Sequence, residues 1–199
     1  MREQPFTRIA PLVEDISESL WPMLEQPYAF FGHSLGAMVA FEMARHLRRQ
    51  QRSLPVHLIV SASRGPQLTD RGPIAYDLPE AQFIDELRRL NGTATEVLED
   101  AELMRLMLPM LRADFEAAQT YDYSPESPLS CPITAYGGLT DQAISRQALE
   151  SWRAHTTGPF TLQMFSGNHF YLHSEEPQLI ERLSGDLARH MRSQAAPAA

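Results

Sequence analysis

Residues 30–49 read FFGHSLGAMVAFEMARHLRR. The aromatic stretch 28–31, YAFF, fits a short buried strand. Residues 34–50 carry a helical pattern that ends in Arg45, Arg48 and Arg49, cations suited to the negative end of a helix dipole. Between strand and helix stand Gly32, His33, Ser34, Leu35 and Gly36. A strand, a sharp turn and a helix lift the turn residue above the sheet, and the crowded backbone there asks for small neighbours. The spacing predicts a nucleophile elbow with Ser34 as the nucleophile. The Leu35 amide would then point at the bound carbonyl and form half of an oxyanion hole. An ordinary glycine-rich turn holding a serine reads the same over these few positions, so the decision rests on residues further along the chain.

A serine needs a base, and the base needs an orienting carboxylate. In this kind of fold the chain order is Ser, then Asp or Glu, then His, with the last two on loops after later strands. VHLIVSA (56–62), ITAYGG (133–138) and FTLQMF (160–165) read as further strands. Asp141 comes directly after the strand at 133–138, and His169 directly after the strand at 160–165. Both fall at C-terminal strand ends, where open α/β sheets keep their sites. Other histidines fit less well: His46 and His190 lie late in helices, His57 inside a strand, and His155 follows Trp152 on a helix. His173 is the reserve candidate. His33 is too close to Ser34 to reach it and is expected to shape the pocket.

Strands alternating with helices predict a largely parallel sheet. Residues 7–24 place Ile9, Leu12, Val13, Ile16 and Leu20 at helical spacing, and 178–191 do the same with Leu179, Ile180, Leu183, Leu187 and Met191, with Pro177 near the first turn. The tail SQAAPAA is expected to be disordered. Residues 79–120 break the alternation: one helix is stopped around Asn91–Gly92, and a second stretch forms one helix or two joined at Pro109. This predicts an all-helical insertion in an α/β core.

The 199 residues predict one domain, 43% hydrophobic and 21% charged, an ordinary globular mix. No apolar run reaches the ~18 residues that span a bilayer, and no signal segment opens the chain, which predicts a cytoplasmic protein with no membrane partner. A net charge of −8 argues against general nucleic-acid binding. The single cysteine, Cys131, excludes an internal disulfide and reads as structural. Trp152 fits core packing.

PYAFFGHSLGAMVAFEMARHLR, YGGLTDQAI, SWRAHTTGPFTLQMFSGNHFYL and PMLRADFEAAQTYDY all occur in the chain. Together they resemble the type II thioesterases of nonribosomal peptide and polyketide synthesis, gramicidin-S-thioesterase-like members of the α/β-hydrolase superfamily. The likeness runs from Pro5 to about Arg192. It implies an α/β-hydrolase fold in which Ser34 accepts the acyl group, His169 is general base and acid, and Asp141 orients it. The implied substrate is a thioester on the phosphopantetheine arm of an acyl- or peptidyl-carrier protein, handled by a monomer without metal or organic cofactor. The implied single domain, 1–199, carries a helical lid at about 66–126. Leu103, Met104, Leu106, Met107, Leu108, Met110 and Leu111 would offer the lid a pliable apolar wall, though ordinary helix packing explains each of them as well. Arg88, Arg89, Arg105 and Arg112 could meet an acidic carrier, with solvated surface charge as the plainer reading.

The resemblance also implies a departure. Relatives begin with strands and a Phe-Pro-Tyr-Ala-Gly-Gly-like loop that supplies the second oxyanion donor, whereas MREQPFTRI starts after that point. The expectation is an N-terminally truncated fold that lacks those strands, with residues 28–31 at an exposed sheet edge. One missing donor would slow the reaction by roughly 10²–10³. The alternatives to an editing thioesterase are an impaired remnant that only binds carriers, and an esterase or acyltransferase using the same three residues.

Overall fold

The computed structural model describes residues 4–70, 72–90, 97–98 and 100–195. Four parallel strands form one sheet in the order β1 (Ala29–His33), β2 (His57–Ser61), β3 (Ile133–Gly138), β4 (Phe160–Phe165). The register pairs His33 with Ser61 and Ser61 with Tyr136, so the strand ends that carry the candidate residues lie along one rim. All five residues of β2 and all six of β3 are buried, as expected of inner strands covered on both faces.

Side-chain alternation sorts the core into two layers. Leu58, Val60, Ile133 and Ala135 pack with Ala37, Ala40, Phe41 and Ala44 of α2 (Leu35–Arg49) and with Trp152. Ile59, Tyr136 and Phe165 pack on the opposite face with Tyr171 and Leu179. Leu179 belongs to the long helix α7 (Glu176–Ala195). Amphipathic α1 (Ile9–Leu20) buries Ile9 and Val13 against Met38, Met43 and Leu47 of α2. The two short helices α5 (Arg146–Glu150) and α6 (Tyr171–Ser174) close the loops after β3 and β4.

Between β2 and β3 lie α3 (Glu80–Leu90) and α4 (Ala101–Gln119), the helical insertion. Pro109 sits inside α4 without dividing it, so the stretch is one helix, opened by the Asp100 carboxylate, which accepts from the Glu102 and Leu103 amides. The insertion has its own apolar cluster, with Phe83, Leu87, Met104 and Leu108 at its centre. The expected stop at Asn91–Gly92 lies outside the described residues.

Two boundaries differ from expectation. α7 begins at Glu176 because Pro177, which lacks an N–H, is tolerated in a first turn. It continues through Ala195, so Ser193–Ala195 are helical rather than part of a disordered tail. β1 is the outer strand of the sheet: Phe31 is 43% exposed, while Tyr28 and Phe30 turn inward onto the cluster between α1 and α2. Among the described residues no helix is long and apolar enough to cross a membrane.

Candidate active site

Ser34 sits between β1 and α2 with φ 53° and ψ −118°, a left-handed conformation that side chains rarely adopt. The turn is tight because a Cβ on Gly32 would stand 2.1 Å from the Gly36 carbonyl oxygen. The crowding is one-sided. A Cβ on Gly36 would meet nothing within 4 Å, so only the first of the two glycines is required sterically. The Ser34 amide donates to the Ser61 carbonyl at 2.8 Å, which fastens the elbow to β2. Leu35 opens α2, so its N–H is among the first four amides of a helix, which have no intrahelical carbonyl to bond.

The loops after β3 and β4 are locked to each other. Leu139 and Thr140 amides donate to the carbonyls of Phe165 and Gly167 at 2.8 and 2.9 Å. Gly138 must lack a side chain because a Cβ there would lie 2.2 Å from the Asn168 carbonyl oxygen. This close approach sets Asp141 beside His169. Asp141 Oδ1 accepts from the Ala143 and Ile144 amides at 2.8 and 3.1 Å, and its Oδ2 lies 2.8 Å from His169 Nδ1. His169 Nε2 in turn lies 3.1 Å from Ser34 Oγ. All three expected residues are therefore brought together.

The Asp141 side chain is 1% exposed and that of His169 13%. Burial by itself would raise the Asp141 pKa, but the hydrogen bond and charge of His169, with the two amides, hold it below the usual carboxylate value. A carboxylate kept ionised beside Nδ1 favours the tautomer whose Nε2 lone pair faces the serine hydroxyl, an arrangement able to take and return a proton at one atom.

The remaining candidates separate cleanly. His173 lies on α6 and stacks on Phe170. His46 and His57 lie on α2 and β2, and His155 is buried against Trp152, Phe41 and Tyr123. His33 packs edge-on against His169, with ring centres 5.2 Å apart, and lines the cavity above Ser34. Cys131 is buried, and Trp152 is fully buried with its indole N–H donating to the Ser63 carbonyl.

That cavity has a volume of about 660 Å³ and takes its wall partly from the insertion, through Glu86, Arg89, Leu90, Asp114, Phe115 and Gln119. The Leu and Met residues of α4 do not line it. Met104 and Leu108 are buried in the insertion's own core, and Leu103, Leu106 and Met110 face outward, so helix packing and surface account for them. Arg112 is not a solvated surface charge either: it donates to the Tyr76 carbonyl at 2.6 Å and lies over the Phe83 ring. Arg88 and Arg89 pair with Asp85 and Glu86 within α3. Two buried polar residues next to the site, Ser61 and Tyr171, carry no motif in the sequence. Their signal is positional: Ser61 is level with His33 in the register, and Tyr171 follows His169 by two residues.

An elbow serine after β1 of a parallel sheet, served by a carboxylate after β3 and an imidazole after β4, defines the α/β-hydrolase class. Comparison with known proteins narrows this. Residues 1–187 match the thioesterase domain family, and the chain belongs to it. It is 44% identical over 179 residues to the gramicidin S biosynthesis protein GrsT of Aneurinibacillus migulanus, covering 90% of this chain and 70% of that one. It is 42% identical over 192 residues to a protein of Brevibacillus parabrevis named linear gramicidin dehydrogenase LgrE, covering 95% and 73%. The solved type II thioesterase BorB from the borrelidin biosynthetic cluster superposes with a TM-score of 0.84 at 39% identity, covering 94% of this chain and 75% of that one. The chain is thus a hydrolase acting on thioesters.

Proposed function

We propose that this chain is an editing type II thioesterase of nonribosomal peptide or polyketide biosynthesis. It removes acyl groups from the phosphopantetheine arm of an acyl- or peptidyl-carrier protein and works as a cytoplasmic monomer. The observation that carries the reading is the continuous contact from Asp141 Oδ2 through His169 to Ser34 Oγ, at 2.8 and 3.1 Å. A dehydrogenase function, as one relative's name has it, finds no comparable support in these groups, which are those of acyl transfer.

Ser34 Oγ attacks the thioester carbonyl as His169 Nε2 takes its proton. Asp141 holds the ring in register and stabilises the imidazolium. The carbonyl oxygen, now negative, is met by the Leu35 amide at the start of α2. The C–S bond breaks, and the leaving sulfur takes the proton from His169 to give the free thiol of the arm. A water molecule then gives a proton to the same nitrogen and adds to the acyl-serine. Collapse of that intermediate returns the proton to Ser34 Oγ and frees the carboxylic acid. Residues from about 66 to 126 act as the lid over this centre within a single domain, and the cavity beneath them receives the acyl chain.

The test is time-resolved thiol release from an acyl-carrier protein, with the released acid identified by mass. Ser34→Ala is expected to lower the rate by at least about 10³-fold. Turnover of Ser34→Ala at the parental rate would overturn the reading. Transfer of the acyl group to an added alcohol in place of water would change the class of enzyme.

A further inference from the structure

Behind the serine and the imidazole lies a second chain of polar groups that the reaction does not use. His33 Nδ1 is 2.8 Å from Ser61 Oγ, and Ser61 Oγ is 2.5 Å from the Tyr171 hydroxyl. Ser61 and Tyr171 are both 0% exposed, so water cannot complete their hydrogen bonding. His33 Nε2 is buried with no hydrogen-bond partner among the described residues. Tyr171 stacks on Phe165, with ring centres 5.0 Å apart, which fixes the direction of its hydroxyl.

Counting orphaned groups selects one arrangement of the protons. If Tyr171 donates to Ser61 and Ser61 donates to His33 Nδ1, both hydroxyl hydrogens are used and only the Nε2–H is left over. If the hydrogen is placed on Nδ1 instead, one hydroxyl hydrogen has no acceptor and the Nε2 lone pair has no donor. A doubly protonated ring is worse still: it strands a hydroxyl hydrogen and the Nε2–H, and buries a charge. We propose that Tyr171 and Ser61 are positioning residues that lock His33 as its neutral Nε2–H tautomer, so that no second positive charge forms beside the ring that collects the proton in catalysis.

The neighbours that face His33 agree with this. Burial lowers its pKa most, the charges of His169 and His173 lower it further, and Asp141 opposes them; the result is about 4. The phenol of Tyr171 is pushed well above its ordinary value, chiefly by burial, so it remains a donor. The functional reason is electrostatic. An imidazolium at position 33 would stand 5.2 Å, centre to centre, from His169 and oppose the imidazolium that forms there when Ser34 is deprotonated.

The inference rests on His169 as the base, and two measurements keep the two ideas apart. Nitrogen NMR of the histidines in the full chain reads the tautomer without any turnover. A hydrogen on Nε2 and a neutral ring down to about pH 5 are expected. A hydrogen on Nδ1, or titration of His33 near the ordinary histidine value, would overturn the lock. Thioester kinetics supply the second readout. Tyr171→Phe and Ser61→Ala should each lower kcat by about 10-fold, with KM within about twofold and the acid limb of kcat/KM moved down by about one pH unit, because a cation at His33 makes His169 the weaker base. Ser61→Thr, which keeps the hydroxyl, should restore the parental pH profile. Unchanged profiles in Tyr171→Phe and Ser61→Ala variants that melt cooperatively would also overturn the lock. Undiminished labelling of Ser34 by a fluorophosphonate in His169→Ala would instead remove the base, whatever the NMR shows.

Discussion

The rim of the sheet and the helical insertion above it are built to different standards. At the rim, backbone meets backbone: Gly32 against Gly36, Gly138 against Asn168, and loop amides on neighbouring carbonyls fix three side chains within hydrogen-bonding distance. The insertion rests on the body through side chains. Ala117 packs among Ile9, Met38 and Met43, and Arg8 reaches Glu116. Its core around Phe83 is separate from the sheet's. Its ion pairs Arg88–Asp85 and Arg89–Glu86 are local, and exposed pairs of this kind contribute little. Chemistry demands sub-ångström placement at the rim, whereas a cavity wall needs only to be shaped and present.

The contrast can be broken most sharply at Asp141. Asp141→Asn keeps the shape but removes the anion beside His169 Nδ1, and should lower kcat by roughly 10²–10⁴ with little change in KM. Thiol-release kinetics measure it, and a fall below about threefold would mean that the rim is less exacting than its geometry. Phe83→Ala empties the centre of the insertion and should cost about 3–4 kcal/mol locally. Hydrogen exchange should rise in α3 and α4 while β2 and β3 stay protected, and KM should rise more than kcat falls. Equal loosening of the sheet would merge the two regions into one cooperative unit.

Acid should act on the sheet region next. His155 is buried, and its pKa falls from 6.5 to about 4, chiefly through burial and then through the charge of Arg45. Its folded pKa is depressed, so the unfolded chain binds the proton more readily. The associated stability is present above 6.5 and is lost as pH falls from there towards 4, by up to about 3 kcal/mol. The urea midpoint of the parent should drop more between pH 7 and pH 4.5 than that of His155→Phe; parallel drops would dismiss the assignment. Smallest of all, Leu106→Ser on the outer face of α4, where Leu106 is 48% exposed, should change stability by less than about 0.5 kcal/mol and leave thiol release unaltered. A larger loss would reveal a contact on that face.

Much of the rim is legible in the sequence because motif, strand order and chain direction all constrain it. Ser34, Asp141 and His169 each follow a strand whose apolar run is unmistakable, and parallel strands deliver their ends to one side. The insertion is legible as helices but not as surfaces. Its Leu and Met residues occupy three environments on one helix: its own core, the half-buried flank and the outer face. Periodicity alone cannot tell a wall from a core. Arg112 reads as solvated because nothing local announces that the Tyr76 carbonyl and the Phe83 ring will receive it. Ser61 and Tyr171 are invisible for a related reason: a serine in an apolar strand and a tyrosine in an aromatic run carry no motif, and their pairing exists only across the sheet.

Cys131 has a practical consequence. It is the chain's single cysteine; it is buried, and burial pushes its thiol up to about 11. At neutral pH it offers almost no thiolate to a disulfide or maleimide reagent. Colorimetric titration of sulfhydryl liberated from a pantetheine ester should therefore carry no background from the native enzyme. A slow appearance of one equivalent of reactive sulfur would report unfolding in the same cuvette.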